Sequence, residues 1–292
     1  MKTPLRFCFF GTPELSAEIL EHLKRHELVP SLIVTNPDRP QGRNLKLTPS
    51  PVKLWALSRK IALLQPESLS DPDFLERLHA VRCTLFIVVA YGKILPKALL
   101  DIPPKGCLNI HYSLLPKYRG ASPIETQILN DDHQTGVSIL LLDEQMDHGP
   151  IVAQSNFPPT TNNRQLNWPP KASELRSAYN QLAGELLIET IPLWCEEKIT
   201  AREQDHTKAT YTKKFTKADG EIDLADDPYK DFLKIQAFDD SIGTYFFVQT
   251  PVKKIRVVVK SAEYRDGKLL IIRVLPEGKK EMGYDEFLRG LK

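Results

Sequence analysis

Apolar residues fall into two rhythms along the first half of the chain. Leu5 to Phe10, Leu28 to Thr35, Ile61 to Leu64, Cys83 to Ala90, Cys107 to Ile110, Gly136 to Leu142 and Ile151 to Ser155 are short, nearly continuous apolar runs. Such runs, bounded by Gly, Pro and polar residues, read as strands buried on both faces of a parallel sheet. Between them the spacing changes to three and four. Leu15, Ile19, Leu20 and Leu23 share one side of a helix over Glu14 to Lys24, with Thr12 placed to cap it and Pro13 at its first position. Further helices are predicted over Val52 to Lys60, Asp71 to Ala80, Ala121 to Leu129 and Ser173 to Trp194. This alternation, from residue 5 to about 155, predicts an α/β fold with a doubly wound, mostly parallel, Rossmann-like sheet.

The rhythm then breaks. Ile199 to Thr210 is polar and charged and reads as a linker. Beyond it, Tyr245 to Val248, Ile255 to Val259 and Leu269 to Val274 are strand-like runs separated by Asp266-Gly267 and Pro276-Glu277-Gly278. These predict a small C-terminal β-barrel of OB-like type. The expected domains are therefore 1–200 and 207–292. Two stretches show no rhythm. One is Asn36 to Pro51, a Pro-rich loop bearing Arg39, Arg43 and Lys46; the other is Thr160 to Pro170, whose Trp168-Pro169-Pro170 suggests no role.

Composition changes this picture little. With 41% apolar and 26% charged residues and a formal net charge of +2, the 292-residue chain has the make-up of a soluble globular protein. Cys8, Cys83, Cys107 and Cys195 are scattered without CxxC spacing, so free thiols and a reducing cytoplasm are expected. No apolar run approaches the roughly 20 residues that cross a bilayer, and the first residues lack a signal-peptide core. Gly11 closes the first strand without a Gly-x-Gly-x-x-Gly pattern, so a dinucleotide cofactor is not expected. His22 and His26 lie one helical turn apart. They suit either a metal or a charged helix end, and no Cys/His cluster calls for a metal.

The stretch that carries chemistry is Leu108 to Gly120. Asn109 and His111 are two residues apart, which on a strand turns both side chains to one face, at the sheet edge where α/β folds bind ligands. Ser113-Leu114-Leu115-Pro116 follows. After the next apolar run comes Leu142 to Gly149, a carboxylate-rich loop with Asp143, Glu144, Asp147 and His148. An amide and an imidazole at a strand end are either ordinary hydrogen-bonding loop residues or catalysts, and residue type and spacing leave both open. The Asn36 to Pro51 loop is either a solvated connector or a basic arm for phosphates, and its composition leaves both open.

Asn109-x-His111-x-Ser113-Leu114-Leu115-Pro116, followed by Met146-Asp147-x-Gly149, resembles the signature of the folate-dependent formyltransferases. The resemblance implies 10-formyltetrahydrofolate as co-substrate and no metal, with Asn109, His111 and Asp147 catalytic. It implies that Ser113, Leu114, Leu115, Pro116, Tyr91 and Gly92 line the folate site. Pro37-Asp38-Arg39-Pro40, Gly42-Arg43, Lys46-Leu47 and Pro49 to Lys53 are similar to the inserted loop of the branch that formylates methionine on initiator tRNA. That similarity implies tRNA contacts from Arg39, Arg43 and Lys46, and from the C-terminal module, in a protein expected to be monomeric. Ala237 to Gly243 departs from the family's usual turn. The competing expectation is a nucleotide-sugar N-formyltransferase, which would use the same three residues and has no need of the Asn36 to Pro51 loop.

Overall fold

The computed structural model describes residues 5–41, 46–157, 166–250 and 253–291. It divides into two compact units. The first is built from Met1–Arg119, Gly136–Pro159 and Tyr179–Tyr211, the second from Gly120–Thr135, Thr160–Ala178 and Thr212–Lys292. The second unit thus draws on two segments upstream of residue 200 as well as on the C-terminal stretch.

In the first unit the chain runs through β1 (Phe7–Gly11), α1 (Glu14–Arg25), β2 (Leu32–Val34), β3 (Arg39–Gln41), β4 (Lys46–Thr48), α2 (Pro51–Ser58), β5 (Leu63–Leu64), α3 (Pro72–Ala80), β6 (Leu85–Val89), α4 (Lys97–Leu100), β7 (Cys107–His111) and β8 (Arg119–Gly120). After α5 (Pro123–Leu129) it returns through β9 (Thr135–Leu141) and β10 (Ile151–Phe157). The seven-stranded sheet has the order β10-β9-β7-β6-β1-β2-β5. The pairings β1/β2, β1/β6, β2/β5 and β6/β7 are parallel, and β7/β9 is antiparallel. From β1 the chain winds outward to β2 and β5, then crosses back to β6 and β7, the reversal that opens a crevice at the carboxyl ends of the strands. All five residues of β1 and of β6 are buried, the physical meaning of their unbroken apolar runs.

Local chemistry sets the helix starts. Ser50 Oγ accepts from Lys53 N at 3.1 Å, and Asp71 Oδ1 from Asp73 N at 2.9 Å, each with Pro at the first helical position. The expected Thr12 cap is not formed. Pro13 occupies the cap position, and Thr12 Oγ1 instead accepts from Asn36 Nδ2 at 3.0 Å, tying the first strand-helix turn to the end of β2. The Asn36 to Pro51 stretch has more order than its composition implies. β3 and β4 form an antiparallel ribbon, Arg39 opposite Thr48 and Gln41 opposite Lys46. Residues 42–45, Arg43 among them, lie outside the described residues.

Ile199 to Thr210 is not a linker but part of the first unit. Arg202 and Ile151 exchange both backbone hydrogen bonds at 2.7 Å, and Gln204 is only 5% exposed. A buried amide is stable there because four hydrogen bonds satisfy it.

The second unit holds α5, the opening residues of α6 (Ala172–Cys195), α7 (Pro228–Ala237), β12 (Thr244–Gln249), β13 (Lys254–Arg265), β14 (Lys268–Pro276), β15 (Met282–Gly283) and α8 (Tyr284–Arg289); β11 (Tyr211–Thr212) lies at its boundary. The strands form one antiparallel sheet in the order β12-β13-β14-β15, over a core of Ile222, Ile235, Phe246, Val257, Val259, Val274 and Phe287. Asp266 and Gly267, at φ 51° and 73°, make the tight turn between β13 and β14. Trp168 has a role here after all. Its Nε1–H donates to Asp131 Oδ1 at 2.6 Å, which also receives the Tyr229 hydroxyl at 3.1 Å, while Pro169 O accepts from Gln236 Nε2 at 2.8 Å. The segment clasps α7 to the turn after α5.

Candidate active site

The β7 pleat puts Asn109 and His111 on one face, with Ile110 turned to the other. His111 is 5% exposed. Its Nε2 lies 2.8 Å from Tyr118 O. A carbonyl only accepts, so Nε2 carries a proton and donates it. Tyr118 sits in the left-handed region at φ 63°, which turns that carbonyl toward the ring. The other nitrogen, Nδ1, is thereby directed at Asp147 Oδ2, 3.5 Å away. Asn109 is half-buried, and among the described residues no protein group hydrogen-bonds its side chain.

Asp147 reaches this place on a constrained loop between β9 and β10. It too is left-handed, at φ 52°. Two residues on, a Cβ at Gly149 would lie 1.9 Å from Leu141 O, so only glycine lets the loop pass against β9. Leu141 N donates to Pro150 O at 2.9 Å, and Gln204 Nε2 donates to both Asp147 O at 2.9 Å and Gly149 O at 2.7 Å. Beside the loop, His148 Nδ1 meets Asp143 Oδ2 at 2.6 Å.

The structure brings Asn109, His111 and Asp147 together and distributes the other candidates more widely. Ser113 is fully buried, and its Oγ donates to Lys117 O at 2.6 Å, which closes the loop on itself. Leu115 packs with Leu140 and Ile151, while Leu114 and Pro116 are half-buried. The Tyr91 ring stands edge-on to Phe10 at 5.5 Å inside the core, and burial pushes its phenol up to about 12. Gly92, next to it, is exposed at φ 79°. On the ribbon, Arg39 pairs with Glu67 at 2.9 Å, and Lys46 is exposed.

Sequence reasoning passed over two features. One is a cavity of about 410 Å³ lined by Leu100, Cys107, Leu141, Leu142 and residues 143–145, together with Lys97 and Asp101. Its signal was the apolar run leading into the acidic loop. The other is the buried pair Arg119 and Gln204. Among the described residues no group of His, Cys, Asp and Glu is arranged to hold a metal ion.

An amide on the same strand face as an imidazole, whose one available nitrogen faces a carboxylate, can stabilise an oxyanion and take up a proton. Residues 5–167 match the formyl transferase family model, and the chain belongs to that family. Within it, the chain belongs with the methionyl-tRNA formyltransferases. It is 40% identical over 264 residues to the methionyl-tRNA formyltransferase of Chloroflexus aurantiacus J-10-fl, covering 89% of this chain and 82% of that protein. Solved structures agree on the fold. Methionyl-tRNA formyltransferase from Clostridium thermocellum superposes with a TM-score of 0.62 at 15% identity, covering 93% and 98% of the two chains. An N-formyltransferase from Helicobacter canadensis, solved with folinic acid and dTDP-3-aminofucose, also gives 0.62, at 18% identity and 91% and 95% coverage.

Proposed function

We propose that the chain transfers the formyl group of 10-formyltetrahydrofolate to the α-amine of methionine carried by initiator tRNA. The observation that carries this reading is the convergence of Asn109, His111 and Asp147, with His111 Nδ1 3.5 Å from the carboxylate. The amine nitrogen attacks the formyl carbon, and the carbonyl electrons move onto oxygen. The Asn109 amide donates to that oxygen, a contact worth on the order of 3 kcal/mol in comparable sites. The amine's proton passes to the His111–Asp147 pair, directly or through water. Collapse restores the carbonyl, breaks the bond to the folate nitrogen and returns a proton to it. The products are the formylated amine and tetrahydrofolate.

The cavity beside Leu141 and Leu142 suits the donor's flat ring, with apolar walls and polar groups from 143–145. Ser113 to Pro116 and Tyr91-Gly92 support the neighbouring loops of that donor site. The β3/β4 ribbon offers the Arg39 guanidinium and the Lys46 ammonium to the acceptor's phosphates, and on the resemblance Arg43 would add a further guanidinium. On the β-rich unit, Lys254 lies over the Phe247 ring at 4.1 Å and Arg256 over Tyr245 at 5.1 Å, a basic and aromatic face suited to the same RNA. Residues 1–200 would then carry the chemistry and the ribbon's RNA contacts, and 207–292 the remaining RNA contacts, in a cytoplasmic monomer.

The test is formyl transfer from 10-formyltetrahydrofolate to methionyl-initiator tRNA, with uncharged tRNA as control. Transfer to the charged species alone supports the assignment. Donor binding without transfer would refute the acceptor and direct the search to nucleotide-linked amino sugars.

A further inference from the structure

We infer that Gln204, braced by the Arg119 guanidinium, is a positioning residue that holds the Asp147 carboxylate against His111. The inference rests on the reading of Asn109, His111 and Asp147 as the formyl-transfer site.

His111 ends β7 and Asp147 lies on the loop after β9, and both that loop and the loop following β7 meet the polar stretch after residue 203. On one side, Tyr118 O accepts the His111 proton. Tyr118 N donates to Thr210 Oγ1 at 2.8 Å, and Arg119 N to Thr210 O at 2.8 Å. The Arg119 side chain, 1% exposed, then reaches Gln204 Oε1 with Nη2 at 2.7 Å and Nε at 3.3 Å. On the other side, Gln204 Nε2 spends its two protons on Asp147 O and Gly149 O, at 2.9 and 2.7 Å. One amide therefore faces a guanidinium with its oxygen and the Asp147 loop with its nitrogen. This also fixes the amide's orientation, since guanidinium only donates and carbonyls only accept.

His206 adds a second brace. Its Nδ1 accepts from Arg119 Nη2 at 2.8 Å, and its ring stacks on His148 at 4.1 Å and 3°. The Asp147 carbonyl and the two residues that follow it, His148 and Gly149, are thus held by groups that Arg119 orders. The need for such support is local. Asp147 has a left-handed backbone, which non-glycine residues adopt only at a cost of order 1 kcal/mol or more. Without the two amide donors its carbonyl, and with it the direction of the side chain, has less to hold it. A separation of 3.5 Å between Nδ1 and Oδ2 leaves little room for drift.

The test uses two variants. Gln204→Glu keeps an oxygen for Arg119 but sets a second oxygen against the Asp147 and Gly149 carbonyls. Gln204→Met keeps the length and removes all polarity. Either variant that folds is informative. The expected result is a turnover per folded molecule lowered about 10- to 100-fold, with KM for donor and tRNA unchanged within about threefold. A crystal structure of the variant is expected to show Asp147 Oδ2 beyond about 4 Å, outside ion-pair reach of His111 Nδ1. Parental turnover in a folded variant overturns the inference. So does a loss of activity that only tracks the loss of folded protein while the His111–Asp147 separation is kept. Should the unmodified chain transfer no formyl group to charged tRNA, the functional reading fails on that result alone. The crystallographic separation still decides the role of Gln204.

Discussion

Gly149→Ala gives a sharp test of how the site is held. The added Cβ would stand 1.9 Å from Leu141 O and 3.1 Å from its carbonyl carbon. A carbon and a carbonyl oxygen settle no closer than about 3.3 Å, so strand and loop must part by about 1.4 Å. Leu141 is fixed by its pairing with Leu108 inside the sheet, and the loop therefore moves. The movement strains two hydrogen bonds, Leu141 N to Pro150 O and Gln204 Nε2 to Gly149 O. Overpacking of this kind costs about 1–3 kcal/mol and each weakened bond about 1 kcal/mol, which together lower Tm by roughly 5–10 °C. Asp147 lies two residues upstream and shifts by on the order of 1 Å, enough for about a 100-fold loss of turnover, or about 2.7 kcal/mol. Single-turnover formyl transfer to methionyl-tRNA, normalised to folded protein by circular dichroism, measures it. Gly267→Ala is the control. Gly267 has φ 73° with open space around its Cβ position, so it should lose about 1 kcal/mol of stability and no turnover. A folded Gly149→Ala enzyme with turnover within about threefold of the parent would refute the argument that this glycine sets the carboxylate.

Asn109→Ala should lower turnover about 100- to 1,000-fold with little change in KM for the donor, because in the proposed mechanism its amide serves an oxygen that becomes negative only during transfer; steady-state kinetics checks this. Asp231 is 4% exposed, and burial pushes its carboxyl up to about 6, with Lys234 opposing and Asp226, Asp223 and Asp227 adding to the rise. Its folded value exceeds the unfolded one of about 3.9, so its contribution is most favourable below that pH and is lost as pH rises through about 6. Asp231→Asn should therefore raise stability by on the order of 1 kcal/mol at pH 8 and have little effect near pH 4, as read by denaturant melts at both values. Trp168→Phe removes the donor to Asp131 and should cost about 1–2 kcal/mol of stability with formyl transfer per folded molecule unchanged.

Much of the fold was legible because burial on both faces leaves an unambiguous mark. β1 and β6 are apolar at every position, and no surface element has reason to be. That Asn109 and His111 share a face was legible from the two-residue period of a strand, while the 3.5 Å approach of Asp147 to His111 was implied only by the family resemblance. What escaped the sequence depended on distant partners. Trp168 needs Asp131, 37 residues back, and Asp131 in turn meets Tyr229, 98 residues on. Arg119, inside Lys117-Tyr118-Arg119, has the look of a surface residue, yet the Gln204 oxygen and the His206 ring nitrogen let it be buried. Gln204 lies in a stretch that reads as solvated because its neighbours are exposed. Local pattern reports the average environment of a segment, and here one residue differs from all those around it. The Thr12 cap failed for a related reason, as Asn36 competes for the hydroxyl from the end of another strand.

The hydrogen bond from His111 to Tyr118 O has a consequence for the traffic of protons. With Nε2 committed to a main-chain carbonyl, the imidazole has a single open door. A proton that enters at Nδ1 has no exit on the far side, so the ring cannot act as a conduit between substrate and solvent. In the proposed transfer it is a berth, where charge waits and then departs by the way it came, toward Asp147, a water or the leaving nitrogen of the formyl donor. Deuterium taken up by the ring in heavy water should therefore exchange no faster than the substrate side of the site opens.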